Sequence, residues 1–286
     1  MGIVVFDGLA FGALLFLIAM GLSVTMGLMN FVNLAHGSFA MVGGYAAAFA
    51  MNSYGGSFPL GLLVGFLAGA ASSAIVEILF IRHLYRAHPL DQVLFTIGLV
   101  FASIAAATYF FGPTMQPFRL PEYLTSDVNV FGVSLNRYRL FLIAVGLMVV
   151  AGLAAGLNFT RFGAMVRAAV DNQRVARGSG INVDRLFLLT FTLGGGLAGF
   201  GGALGLGILT LSPVFPLKYM VFFLMVVCVG GAGTISGPFV AAILLGVGDV
   251  AGKYYVPQLG GFLIYLIMLL LLSARPNGII VKRGAA

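Results

Sequence analysis

The chain has 286 residues, of which 60% are hydrophobic and only 8% charged, and its mean hydropathy is +1.09. A soluble domain carries roughly a quarter charged residues, so this composition excludes a water-solvated globule and leaves lipid as the solvent. The net charge of +7 is dispersed over short loops, not gathered into a stripe with aromatics, which excludes a nucleic-acid surface and reads as a topology signal.

About 20 apolar residues cross a bilayer core as a helix. Spans are expected near 8–29, 38–52, 58–81, 92–112, 140–159, 186–209, 218–230, 237–251 and 257–274. The predicted fold class is therefore all-α: a polytopic transmembrane helical bundle of about 8–9 segments, some short and broken, forming a single transmembrane domain over 1–286. The first span lacks a basic leader and is too long for a signal-peptide core, so it is expected to stay as a true crossing, with Asp7 just outside it; no lipobox is seen.

Immediately after the first span, Asn30-Phe-Val-Asn33-Leu-Ala-His36-Gly37-Ser38 interrupts about fifty otherwise apolar residues, Ile3 to Met51. Amides and a histidine at membrane depth are costly unless they face protein, water or solute. Asn33 can cap the helix that follows by accepting from N–H groups two or three residues on. Gly37 permits a close approach, and a helix N-terminus at mid-membrane favours a carboxylate. Two roles stay open for Asn33 and His36: holding the break through hydrogen bonds to a neighbouring helix, or touching a solute. A second break, Gly230-Gly231-Ala-Gly233-Thr-Ile-Ser-Gly237-Pro238, follows the short span 218–230. Short, interrupted segments in two halves point to a transporter's central path, and they suggest a pseudo-repeat of 1–112 against 140–274.

Between these breaks, Glu77 and Arg82 are expected to pair at the inner boundary. Residues 113–139, with Pro113, Pro117 and Pro121, read as an outer loop able to cap the protein or meet a partner. Glycines at four-residue spacing (Gly61, Gly65 and Gly69; Gly195 and Gly199; Gly201 and Gly205; Gly248 and Gly252) form ridges for close helix packing, with lining of a solute path as the alternative. The lone Cys228 lies in an apolar run and is expected to be a buried, inert thiol. Asp249 sits four residues before Lys253, the spacing of a helix-face pair.

Lys and Arg set the orientation. Ten of them (Arg82, Arg86, Arg161, Arg167, Arg174, Arg177, Arg185, Arg275, Lys282 and Arg283) fall on one side, and five (Arg119, Arg137, Arg139, Lys218 and Lys253) on the other. The first side is cytoplasmic, so the C-terminus is inside and, with an odd number of crossings, the N-terminus outside. The cytoplasmic segment 160–185 contains an amphipathic helix of about four turns. Phe162, Met165, Val166, Ala169 and Ala176 share one side and Arg167, Asp171, Arg174 and Arg177 the other, with Gly178 and Gly180 as the stop. Such a helix lies at the lipid interface or in a groove of a soluble partner.

No phosphate-binding Gly-x-x-x-x-Gly-Lys-Ser/Thr is present, His36, His83 and His88 make no metal-ligand pattern, and no serine is paired with a base. An enzyme is not expected, and neither is a catalytic residue, a metal or a cofactor in this chain. A stand-alone channel or secondary carrier, with His36 and Asp249 as proton or ion sites, is the main rival to an importer subunit.

Gly27-Leu-Met-Asn30-Phe-Val-Asn33-Leu-Ala-His36-Gly37 resembles the N-terminal motif of the branched-chain amino acid ABC transporter permeases. Arg167-Ala-Ala-Val-Asp171-Asn172 with Ala176, Arg177, Gly180, Ile181, Asn182 and Arg185 resembles their cytoplasmic coupling segment. The Gly230–Pro238 break and Pro276-x-Gly278-Ile279 resemble their late break and C-terminal end, all in family order. The resemblance implies a pore-forming subunit in a bacterial inner membrane, carrying a branched-chain or other hydrophobic amino acid. It further implies pairing with a second related permease chain, as a heterodimer or a homodimer, two cytoplasmic ATP-binding subunits that hold ATP and Mg, and a periplasmic solute-binding protein. Ser38 replaces the acidic residue many members carry there, and the family also takes urea, short amides and small carboxylates. The site residues so implied are Asn30, Asn33, His36, Gly37, Ser38, Gly230, Gly231, Gly233 and Gly237 for the path. Phe162, Arg167, Asp171, Asn172, Arg174, Ala176, Arg177, Gly180, Ile181 and Asn182 are implied for coupling.

Overall fold

The computed structural model describes residues 1–280 apart from 30, 86, 119, 131–132, 232 and 277. Asn30, among the expected path residues, and Arg86, Arg119, Lys282 and Arg283, among the topology charges, lie outside the described residues. The helices are α1 (Gly2–Met29), α2 (His36–Tyr54) and α3 (Phe58–Val76), the last continuing through a π-helical turn (Glu77–Ile81) into the single turn α4 (Arg82–Leu84). Next come α5 (Pro89–Phe111), the short α6 (Glu122–Thr125), strands β1 (Asp127–Val130) and β2 (Val133–Asn136), and α7 (Arg137–Phe159). The short helices α8 (Arg161–Asp171) and α9 (Gln173–Gly178) lead to α10 (Val183–Gly205), α11 (Phe215–Gly230), α12 (Ser236–Tyr255) and α13 (Gly260–Ala274). Each of the nine expected spans coincides with a helix, although most helices start a few residues earlier. Those extra residues are polar first-turn and capping positions that a hydropathy reading trims. The Asn136 side chain accepts from the Tyr138 and Arg139 N–H groups, and His88 from that of Leu90.

Among the described residues, five helices are long and apolar enough to cross a membrane by length and composition, while α11 and α13 are shorter apolar helices. The chain is thus a multi-pass helical membrane protein. Its core is sewn with glycine. A side chain on Gly65 would come within 2.8 Å of the Ala203 Cβ, and one on Gly199 would fall on the Gly65 carbonyl oxygen and lie 2.9 Å from the Gly69 Cα. Lipid tails are as apolar as leucine, so helices associate in membranes through close backbone packing, which small residues permit.

The packing repeats between two three-helix units. Helix α1 packs along α12 as α10 packs along α3; α2 meets α3 and α10 as α11 meets α12 and α1. Within the expected halves 1–112 and 140–274, these matching contacts relate α1–α3 to α10–α12. The break before α2 (31–35) corresponds to that before α11 (206–214).

Within the segment 113–139, Asp127 pairs with Asn136 and Asn129 with Ser134 in an antiparallel hairpin. The segment is tied to the bundle by the Asn52 amide donating to the Pro117 carbonyl (3.1 Å) and the Gln116 N–H donating to the Leu211 carbonyl (3.0 Å). Three further expectations are corrected. Asp7 lies inside α1, where the Arg139 guanidinium neutralises it. Cys228 is exposed, although Val226, Val227 and Val229 on either side of it in α11 are buried. Met165, expected on the buried face of the cytoplasmic segment, is 37% exposed, since the body of the protein covers only Gly163, Val166 and Ala169 of α8.

Candidate functional site

The Asn33–Ser38 break is held by protein on every side described. Helix α2 starts beside Ile18, which is 11 residues before the end of α1. At 1.5 Å per residue that places its first turn about 16 Å back from the end of α1, within the membrane. The non-helical residues 31–35, which end in a turn at Leu34 and Ala35, lead into it. They are shielded by Gln92, whose amide donates to the Leu84 and Ala87 carbonyls and accepts from the Val32 N–H, and by Tyr85, whose ring meets Phe31 edge-on. Backbone off the helix at such depth is tolerated only when buried in protein or beside water.

Asn33 does not cap α2. Ala35 occupies the cap position, and the Asn33 Oδ1 accepts from the Ala35 N–H at 3.0 Å, closing a turn one step earlier. Its Nδ2 is buried with no partner in the structure, a cost of about 1–3 kcal/mol. His36 is buried and its Nε2 lies 2.9 Å from the Ile18 carbonyl oxygen. A carbonyl can only accept, so Nε2 carries the proton and the ring pins the first turn of α2 to the middle of α1. Gly37 meets α11, where a side chain would come within 3.2 Å of the Pro216 Cα. The Ser38 hydroxyl shares a 2.8 Å hydrogen bond with that of Ser103 on α5, a partner the sequence did not advertise.

The Gly-rich turn closes on α1 at a different level. The Gly233 N–H donates to the Ser23 carbonyl (3.1 Å), and the Ser23 hydroxyl donates to the Thr234 carbonyl (3.3 Å). Gly233 has φ +79°, which a side chain would strain, and lies against Gly27. Gly230 and Gly237 approach so closely that a side chain on either would strike the other's backbone, and Gly231 packs against Gly278. The two breaks thus lean on one helix, α1, without forming one pocket among the described residues.

At the π-helical turn, Glu77 is buried and accepts from the Tyr85 hydroxyl (2.9 Å) and the Arg82 guanidinium (3.4 Å), as the pairing expectation required. Burial and the neighbouring Glu77 charge hold the Tyr85 hydroxyl well above its ordinary titration range. The segment 160–185, expected to hold one helix of four turns, is an elbow of two helices. Asn172 is extended (φ −158°, ψ 103°) and caps α9, its Oδ1 accepting from the Arg174 and Val175 N–H groups at 3.0 and 3.1 Å. An asparagine bonds its own downstream backbone more readily than it continues a helix. Gly163, Val166, Ala169 and Ala176 are buried against the bundle, with Phe162 half-buried. Asp171, Arg174, Val175 and Arg177 are exposed, and Arg167 is half-buried instead of sharing that open face. Gly180 (φ +84°) ends α9, with the Ile181 N–H donating to the Ala176 carbonyl. Asn182 caps α10, and Arg177 clamps Asp184 through two bonds of 2.6 and 3.2 Å.

A cavity of about 530 Å³ lies at the opposite end of the bundle, between the ends of α1, α7, α11 and α12. It is lined by Asp7, Arg139, Lys218, Asp249 and Lys253 over an aromatic floor that includes Phe11. A neighbouring hollow of about 520 Å³ shares Asp7, Arg139 and Ile208 with it. Sequence reading counted these charges singly, as topology markers or helix-face pairs. The available signal was that all five fall near helix ends on the same predicted side.

The family description "Branched-chain amino acid transport system / permease component" matches residues 4–272. The chain is 28% identical to the probable branched-chain amino acid transport permease protein LivH of Methanocaldococcus jannaschii, over 93% of this chain and 88% of that protein. It is 26% identical to the high-affinity branched-chain amino acid transport system permease protein BraD of Pseudomonas aeruginosa, over 96% and 94% of the two chains. Identity is 24% to LivH of Escherichia coli K12, again over 96% and 94%. No solved structure matches significantly.

Proposed function

Because the chain belongs to the family of permease components of branched-chain amino acid transport systems, we propose that it is the membrane-crossing subunit of an ATP-driven importer for a branched-chain or other hydrophobic amino acid. ATP and Mg are held by two separate cytoplasmic ATP-binding subunits, a second related permease chain completes the pore, and a periplasmic protein delivers the solute. The chain sits in a bacterial inner membrane with its N-terminus periplasmic and its C-terminus cytoplasmic, and does no chemistry of its own.

The observation that carries the assignment is the family match across 4–272. The elbow of α8 and α9 supports the coupling role: its small side chains bury against the bundle while Asp171, Asn172, Arg174 and Arg177 face outward. Clamped to α10 through Arg177 and Asp184, a push on this elbow is delivered to α10, the helix that packs on α1, α2 and α3. The breaks at Asn33–Ser38 and Gly230–Gly237 belong to the translocation path, His36 serving as the tie that sets where α2 begins.

The test is uptake of labelled L-leucine by cells that express the chain with its ATP-binding, second permease and binding-protein subunits. Uptake that collapses when the ATP-binding subunits are inactivated is the expected result. Uptake that persists without them would return the carrier reading. A thiol placed at Arg174 should react with an impermeant reagent only in inside-out vesicles; labelling on intact cells would overturn the orientation.

A further inference from the structure

The outer cavity contains more charge than its ion pairs consume. Asp7 is neutralised by Arg139, and Lys253 Nζ lies 2.5 Å from the Asp249 Oδ2. Lys218, in the first turn of α11, has no acidic partner among the described residues; its Nζ stands 5.3 Å from the centre of the Tyr219 ring. Asp249 is 2% exposed, and its second oxygen, Oδ1, is buried with no hydrogen-bond partner in the structure. Lys218 and Asp249 therefore line the same cavity, the first an unmatched cation and the second a buried carboxylate with one oxygen lacking a donor, along with the rings of Phe11, Tyr219 and Phe222. A buried carboxylate oxygen without a donor is expensive, and a small ligand that supplied the donor would relieve it.

From this geometry we infer that the cavity is an extracytoplasmic receiving site for a free α-amino acid. Lys218 takes the carboxylate, the Asp249 Oδ1 takes the ammonium group, and the aromatic floor takes an apolar side chain. A zwitterion complements the site because its carboxylate meets the one unmatched cation and its ammonium N–H groups supply the donor that the Asp249 Oδ1 lacks, whereas a simple anion would leave that oxygen without a donor. The volume falls within the roughly 300–1,000 Å³ of small-molecule sites. The Asp7–Arg139 pair bridges α1 and α7 at the rim and holds the wall in place. The inference deepens the proposed import of a hydrophobic amino acid and rests on it, since it names where the solute is first held by the permease.

The test uses the full transporter with its binding protein, in a Cys228→Ala background that removes the exposed native thiol. Lys218→Cys should lower L-leucine uptake about tenfold, the scale of one charge-assisted hydrogen bond. A cationic impermeant methanethiosulfonate should restore most of that loss and an anionic one should not, a contrast that misfolding cannot produce. Asp249→Asn should weaken competition by L-leucine more than competition by its amino-free analogue 4-methylpentanoate. Leucine uptake by Lys218→Cys that equals the parent, or that responds alike to both reagents, would overturn the site while leaving the importer standing. A parent complex that takes up no leucine at all would instead overturn the proposed function, and the site with it.

Discussion

Helices α7 and α10 are both 23 residues long and flank the same α8–α9 elbow, yet their surroundings differ sharply. The apolar window of α7 is 11% buried and that of α10 is 67% buried, although α7 is the more apolar of the two. In water the greasier helix would be the inner one. In lipid the order reverses: α7 spends its large side chains, such as Met148 at 71% exposure, on the surroundings. Helix α10 is inner because Gly194, Gly195, Gly199 and Gly202 let α1, α2 and α3 come to backbone contact. Smallness, more than hydropathy, marks the interior of this protein.

The sharpest way to break this comparison is to exchange residue sizes. Gly199→Leu should destabilise the fold by about 3 kcal/mol or more, since the added atoms strike the Gly65 carbonyl and the Gly69 backbone. Gly152→Leu in α7 has open space around it and should change stability by no more than about 0.5 kcal/mol. Thermal unfolding in detergent reads both, and equal effects would sink the distinction. His36→Ala, which removes the tie between α2 and α1, should cost about 1–2 kcal/mol; at equal membrane levels it should reduce leucine uptake more than it reduces protein yield. At the elbow joining the two helices, Arg174→Glu should weaken association with the ATP-binding subunits about tenfold while insertion is unchanged, as co-purification will tell. Smallest of all, Ser38→Ala loses one hydrogen bond to Ser103 and should cost about 0.6 kcal/mol, the average for such bonds between membrane helices; a large loss would mean that Ser38 does more than join α2 to α5.

Much of this architecture was legible in the chain. All nine spans, the break at Asn33–His36 and the glycine ridges could be read from hydropathy and spacing, because those patterns are local. What stayed hidden depends on what lies opposite. Asn33 seemed a helix cap until Ala35 was found in that position, and the cytoplasmic helix seemed continuous because a helical wheel cannot register the extended backbone of Asn172. Cys228 sits in a run as apolar as any core, yet it is exposed while Val227 and Val229 beside it are buried, a difference of helix face that composition does not register. The outer cavity is the strongest case: Asp7, Lys218 and Asp249 are more than two hundred residues apart along the chain at the extremes, and no local pattern could bring them together.

The exchange relation between α1–α2–α3 and α10–α11–α12 carries a mechanical corollary. The first helix of each triplet lies along the last helix of the other, so the two triplets are threaded together like clasped hands. Neither can shift as a body without dragging its counterpart, and a displacement that reaches α10 is shared at once by α1, α2 and α3.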